Sequence, residues 1–184
     1  MMQKRLTKMI FGMLVLVAGL SSCSSYDEVF GNISEPLPPD TPPSSTVSQA
    51  TTSTEFAALE QSVHQQINQY RKSRNLPPLT LNASITEQAR IHSEAMASGR
   101  VPFSHNGFEG RVKAIAKSIS YSSAGENVAY NQGYSNPDQQ AVQGWLESPG
   151  HLKNIVGDFD LTGIGVTKNA KGEYYFTQIF IKRR

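Results

Sequence analysis

The chain has 184 residues, 38% of them hydrophobic, which is enough for one domain of ordinary size plus appendages. Its formal charge of +2 owes three cations to Lys4, Arg5 and Lys8; without them the 17 Lys and Arg fall to 14 against 15 acids, about −1, and nothing calls for a nucleic-acid partner. Cys23 is the only cysteine, so an intramolecular disulfide is excluded and the domain must be held by its core.

The first residues read as an export signal. A basic n-region (Lys4, Arg5, Lys8) precedes an apolar run from Met9 to Leu20, followed by the small residues Ser21 and Ser22. That run falls short of the roughly 20 apolar residues a membrane-spanning helix needs. Leu20-Ser21-Ser22-Cys23 resembles a bacterial lipobox, in which the cysteine is acylated and becomes the new N-terminus. Residues 1–22 are thus expected to be a lipoprotein signal peptide, with the membrane as partner through lipidated Cys23. Ser24 does not favour inner-membrane retention, so the expected location is the cell envelope, at the outer membrane or cell surface. Ordinary cleavage near Ser22 or Ser24 would instead give a secreted chain.

Residues 23–54 are rich in Ser, Thr and Pro and hold four acids (Asp27, Glu28, Glu35, Asp40) and no Lys or Arg. Pro36, Pro38, Pro39, Pro42 and Pro43 favour extended conformations, and too little apolar surface exists to offset ordering. A disordered tether is expected. The remaining residues, 55–184, carry about +3, too mild a charge to name a partner.

Thr52 and Glu55 form a capping-box pattern, and Phe56, Leu59, Val63, Ile67 and Tyr70 follow at helical spacing. Leu76-Pro77-Pro78-Leu79 ends that helix. A second helix is predicted after Asn82, with Ile85, Ala89, His92 and Met96 on one face, stopping at Gly99. A short helix is predicted over 111–117, and another from Asn136-Pro137 through Ala141, Val142 and Trp145 to Pro149-Gly150. Residues 161–168 and 173–181 read as two strands joined by a hairpin at 169–172. Helices first and strands last argue an α+β fold.

Of the four histidines, His64 reads as a solvated surface residue and His92, on an apolar stripe, as a packed core histidine. His105 and His151 follow turn-like contexts, where functional side chains concentrate. Glu126 sits between polar residues and the apolar pair Val128-Ala129, and a carboxylate at the edge of a buried segment should find a partner. Singly, each of the three suits a structural hydrogen-bonding role.

The ordered series is more specific. It comprises His92-Ser93-Glu94-Ala95-Met96-Ala97, Phe103-Ser104-His105, Gly125-Glu126-Asn127-Val128-Ala129 and the run from Trp145-Leu146-Glu147-Ser148-Pro149-Gly150-His151 to Ile155. Gly163-Ile164-Gly165-Val166 and Phe176-Thr177-Gln178-Ile179-Phe180 follow. In this order they resemble the bacterial branch of the CAP (SCP-like) superfamily, relatives of plant pathogenesis-related proteins, cysteine-rich secretory proteins and venom allergens, over about residues 55–184.

The resemblance implies an α-β-α sandwich with a central antiparallel sheet and a broad cleft. Two histidines and two glutamates line the cleft in the family, and the histidines can hold a divalent cation, often zinc. By motif these are His105, His151 and Glu126. The family's second glutamate lies one helical turn after a tryptophan; here Ser148 stands three after Trp145, and Glu147, one position early, is a candidate offset by about 100°. Two histidines are one ligand short of a usual catalytic zinc site, so Glu126 either ligates or orients a histidine. Neither Ser104 nor Ser148 sits in a nucleophile-elbow pattern.

The function expected from the resemblance is a non-catalytic module binding a lipid, sterol, glycan or peptide. A metal-dependent hydrolase of peptide or envelope substrates, with Glu126 as base beside His105 and His151, is the alternative. In a third reading the His/Glu cluster merely stabilises an interaction domain.

Overall fold

The computed structural model describes the backbone of residues 45–184 and side chains from Thr54 onward; the signal region, Cys23 and the tether up to residue 44 lie outside the described residues. Helix α1 spans Ser45–Ser73. It starts ahead of Thr52 and reaches into the stretch expected to be tether, so the capping box at Thr52 and Glu55 does not open it. No Pro or Gly occurs between Pro43 and Ser73, so nothing halts helix propagation backward until the prolines. Its end is closed at Asn75 (φ 58°), with Leu76 N–H donating to Arg71 O and Asn75 N–H to Lys72 O, both at 3.0 Å. That is a left-handed C-terminal cap placed before the prolines. Val63 and Ile67 are fully buried, with Phe56, Leu59 and Tyr70 packed beside them, as the spacing predicts. His64 differs from its surface reading: it is half-buried, with Nε2 2.9 Å from Leu79 O.

Strand β1 is two residues, Thr80–Leu81. Helix α2, Ala83–Ala97, starts at Asn82, whose Oδ1 accepts from Ser84 N and Ile85 N. Helix α3 covers Phe108–Ile115 and strand β2 Tyr121–Gln132. Helices α4, Pro137–Glu147, and α5, Pro149–Ile155, are separated by Ser148 alone. The extended backbone of Ser148 (φ −98°, ψ 116°) ends one helix, and Pro149 at the first helical position opens the next. Pro149 therefore begins a helix as well as terminating one. Strands β3, Leu161–Lys168, and β4, Glu173–Arg183, complete the chain.

The sheet order is β1-β3-β4-β2, antiparallel except for the short β1 beside β3. Successive strand residues face opposite sides. Ile179 and Ile181 of β4 pack with Ile85 and Ala89 of α2 and Ile115 of α3. Phe176 and Phe180 pack instead with Val63, Ile67, Trp145 and Ile155 of α1, α4 and α5. The fold is thus an α-β-α sandwich of the α+β class. Gly163 and Gly165 let α2 rest directly on β3: a Cβ at Gly165 would lie 2.2 Å from Arg90 N, and one at Gly163 2.2 Å from Thr86 N. Strand β2 is left at the edge of the sheet, with one side open to neighbouring loops and helices.

Candidate functional site: an arginine-clamped His/Glu cluster beside an aromatic cleft

Glu126 is on β2, a strand that carries no strand signal in the sequence. Its segment lacks apolar alternation and contains Gly125, Glu126 and Asn127, residue types depleted in strands. The Glu126 side chain is 1% exposed. A charge buried to that degree must be paired, and the partner is Arg111 of α3, itself buried. Arg111 Nε donates to Glu126 Oε2 and Nη2 to Oε1, both at 2.8 Å. Arg111 Nη1 also donates to Asn106 O at 3.0 Å, so the same guanidinium holds the loop that carries His105.

His105 presents Nδ1 to Glu126 Oε1 at 3.0 Å, and its side chain is half exposed. With that nitrogen donating, the lone pair of Nε2 is directed away from the carboxylate. His92 is the packed histidine that its position predicts. Its Nε2 lies 2.9 Å from Ser104 O, and Nδ1 accepts from Arg111 Nη1 at 3.2 Å. Burial pushes the His92 pKa below its ordinary value and the Arg111 charge adds to this, outweighing the Ser104 bond. One neutral tautomer satisfies both contacts.

His151 lies in the first turn of α5. Asn127 Nδ2 donates to His151 O at 3.2 Å, and Asn154 Nδ2 donates to Glu126 O and Asn127 Oδ1 at 3.1 and 2.9 Å. A Cβ at Gly125 would come within 2.8 Å of Asn154 Oδ1. The Gly125-Glu126-Asn127 segment and the segment from His151 to Asn154 are therefore two halves of one joint. The imidazoles of His105 and His151 stand 6.3 Å apart, centre to centre. Burial, and then His105, push the His151 pKa down, and its Nδ1 is buried without a partner among the described residues.

His105, Glu126 and His151 are thus brought together. Glu147 is not: it is exposed and accepts from Gln143 Nε2 at 2.8 Å on the same helix, while Ser148 lines the cleft in its place. The 100° offset expected from the sequence is the reason. Among the described residues no three His, Cys, Asp or Glu side chains are grouped to hold a metal. An ion about 2.0 Å from one nitrogen of each imidazole sits roughly 3 Å from each ring centre, so among the described residues His105 and His151 are the pair spaced to share one. Both Glu126 oxygens are taken up by Arg111, and Oε1 also by His105, which makes Glu126 an orienting carboxylate.

Beside His151 opens a cleft of about 600 Å³, running along the outer edge of β2 between Phe103 on one side and Trp145 and Gln140 of α4 on the other. Phe103, Tyr130 and Tyr134 line it and are 47%, 53% and 53% exposed. Phe103 meets Tyr130 edge-on at 5.4 Å, and Tyr130 stacks on its cross-strand neighbour Tyr175 at 5.7 Å. Asn131 also lines the cleft; its Nδ2 donates to Pro137 O at 2.8 Å, and its buried Oδ1 has no partner among the described residues. Sequence reasoning missed Arg111, Asn131 and this aromatic row. For the row, the available signal was Phe103 and Tyr130, each within a few residues of a site residue.

The profile of the CAP (cysteine-rich secretory protein) family matches residues 64–180. Two Bacillus subtilis proteins are similar: the uncharacterized protein YkwD, 33% identical over 68% of this chain and 48% of its own length, and the uncharacterized membrane protein YlbC, 36% identical over 63% and 32%. The chain therefore spans about half or less of these relatives. Among solved structures, an extracellular SCP-domain protein from Bacillus anthracis matches with a TM-score of 0.63 and 28% identity, over 82% of this chain and 45% of that one. An outer surface protein of Borrelia burgdorferi matches in fold with a TM-score of 0.60 and 22% identity, over 69% of this chain and 94% of that one. With the family's profile covering residues 64–180, most of the chain, and the sandwich shared with these solved structures, this protein belongs to the CAP superfamily, the cysteine-rich secretory protein family.

Proposed function

We propose that the protein is a non-catalytic binding module of the bacterial cell envelope, exported and anchored through lipidated Cys23, with the cleft beside His151 as its ligand site. One observation carries the binding reading: among the described residues, the carboxylate beside the two histidines is spent on Arg111 and His105, whereas the adjoining cleft keeps large aromatic side chains exposed. A general base needs a lone pair facing the group it deprotonates, and Glu126 is 1% exposed with both oxygens engaged by Arg111 and one also by His105. Contiguous exposed apolar groups in a concavity are the ordinary mark of a binding site. His105 and His151 are the pair that would hold a divalent cation such as zinc, weakly and exchangeably for want of a third protein ligand.

The extracellular description of the Bacillus anthracis relative supports an exported location, as does the signal pattern before Cys23. The module reading is tested by titrating the mature chain with zinc and assaying it on peptide and glycan libraries. Zinc binding that is lost in the His105→Ala/His151→Ala double variant, without turnover, is expected; metal-dependent turnover overturns the reading. Anchoring is tested by feeding cells an alkyne fatty acid. Label that enters the wild type and is absent from Cys23→Ser is expected, and an unlabelled wild type overturns the anchor.

A further inference from the structure

We propose that the cleft along β2 takes an extended, non-acidic peptide, whose backbone pairs with the free edge of β2 at Tyr130 and Gln132 as one more strand of the sheet. This rests on reading the domain as a binding module and names the class of its ligand.

The edge of β2 makes the first demand. The carbonyls of Glu126 and Val128 point away from β4 and accept from Asn154 Nδ2 and Trp145 Nε1, at 3.1 and 3.0 Å. An antiparallel strand turns every second residue to the same edge, so the N–H and C=O of Tyr130 and Gln132 point outward as well, while Ala129 and Asn131 pair with β4. Tyr130 and Gln132 are exposed and line the cleft, and none of these four groups has a partner among the described residues. They repeat a donor and an acceptor about 6.8 Å apart. That is the period of another extended backbone, and neither an acyl chain nor a sterol carries it. The opposite edge of the sheet is guarded instead: Glu60 Oε1 accepts from Val166 N at 3.2 Å, and the short β1 covers Leu161 and Thr162. Charged groups and short strands are the devices that keep a sheet edge from pairing, and no such device covers Tyr130 and Gln132 among the described residues.

The walls of the cleft fit a strand laid on that edge. Phe103 and the ring of Tyr130 stand on one side and α4 on the other. Alternate side chains of an added strand point to opposite sides, one set toward the exposed aromatic rings and the other toward α4. On the α4 wall Gln140 and Gly144 face the cleft one turn apart. Gly144 lies inside the helix, where glycine weakens it, and a Cβ there would meet nothing within 4 Å. Packing among the described residues therefore gives no reason for the missing side chain, whereas the close approach of a ligand does. Among the described residues no Lys or Arg lines the cleft and Glu173 is its one acid, which disfavours an acidic peptide.

The experiment selects peptides for the mature chain from a phage-displayed library of random heptapeptides and titrates them by calorimetry. Cellotetraose and phosphatidylcholine–cholesterol vesicles run alongside. At least one peptide is expected to bind with a Kd of about 1 mM or tighter and to slow exchange of the Tyr130 and Gln132 amide hydrogens by about tenfold or more. Single N-methylations along that peptide are expected to abolish binding at alternate residues only, since every second N–H faces β2. Gly144→Leu is expected to weaken binding by about tenfold or more while its melting temperature stays at or above that of the wild type. Phe103→Ala, on the other wall, is expected to weaken it by about fivefold and decides the matter if Gly144→Leu fails to fold. No peptide binding, unchanged exchange at Tyr130 and Gln132, or a methylation pattern without alternation overturns the proposal. A concentration-dependent dimer that protects the same two amides while every peptide fails also overturns it, in favour of a second copy of this chain. Sugar or vesicle binding that is lost in Gly144→Leu while every peptide fails overturns the added strand and leaves the module reading intact; turnover of any probe overturns the module reading itself.

Discussion

Arg111 is the residue on which the cluster depends. It neutralises a glutamate whose side chain is 1% exposed, fixes the tautomer of His92, and holds Asn106 O on the loop that carries His105. Arg111→Met keeps much of the apolar stem but strands Glu126 as a buried unpaired charge, and should cost about 3–5 kcal/mol in chemical denaturation. Arg111→Lys should recover only part of this, because an ammonium cannot make the two-pronged contact. His92 adds a pH dependence. Burial and Arg111 hold its folded pKa below the ordinary value near 6.5, so below that pH the unfolded chain binds more protons than the folded one. The stability contributed by neutral His92 is complete above about 6.5 and is lost as the pH falls toward the depressed folded value. Urea midpoints should therefore decline from pH 7 to pH 5, and His92→Gln should flatten that decline.

At the level of elements, periodicity made the helices legible, and motif order pointed to His105, Glu126 and His151, which the structure places as neighbours with His151 alone lining the aromatic cleft. Val63, Ile67, Ile85, Ala89 and Trp145 are buried where their spacing puts them. Three things did not show. The start of α1 was hidden because Ser and Thr before Thr52 read as tether, although no helix breaker separates them from the helix. Strand β2 was hidden because its polar residues are held by tertiary partners, Arg111 for Glu126 and Asn154 for Asn127, rather than patterned for a core. Arg111 was hidden because an arginine on a short amphipathic helix reads as solvated. The contact between α2 and β3 was written in Gly163 and Gly165, and it makes a paired prediction. Gly165→Ala sets a Cβ 2.2 Å from the backbone nitrogen of Arg90 and 2.3 Å from Ala89 C. Backbone atoms cannot swing aside, so the loss should reach about 3 kcal/mol. Gly110→Ala, on α3 with nothing within 4 Å of the new methyl, should instead add up to about 1 kcal/mol. Equal effects in thermal melts would refute the close-packing account.

For the molecule as a whole, the His151 end of the cleft is placed by α5, which is tied to elements far from it in sequence. Asn127 and Asn154 join it to β2, and Arg71, near the end of α1, holds its far end. Arg71 is 1% exposed and donates to Pro77 O, Ile155 O, Gly157 O and Phe159 O at 2.8–3.3 Å. Burial pushes its pKa below the ordinary arginine value, with Asp158 opposing; arginine nevertheless stays charged at neutral pH. A buried cation held by carbonyls is stabilising in this arrangement because three of those carbonyls, of Ile155, Gly157 and Phe159, close the C-terminal end of α5 and the turn after it, where the helix dipole also favours positive charge. Arg71→Met would leave several carbonyls unpaired at once, with an expected loss of about 3 kcal/mol or more. The loss should also be uneven. Since Arg71 bonds the segment after Ile155 and not the Glu126 cluster, amide exchange should accelerate first in α5, ahead of α2 and β3. His151, which rides on α5, should lose its fixed separation from His105, so any zinc affinity should fall in Arg71→Met although no ligand has been touched. Uniform acceleration across the sandwich would instead make Arg71 a general stabiliser with no particular hold on the cleft.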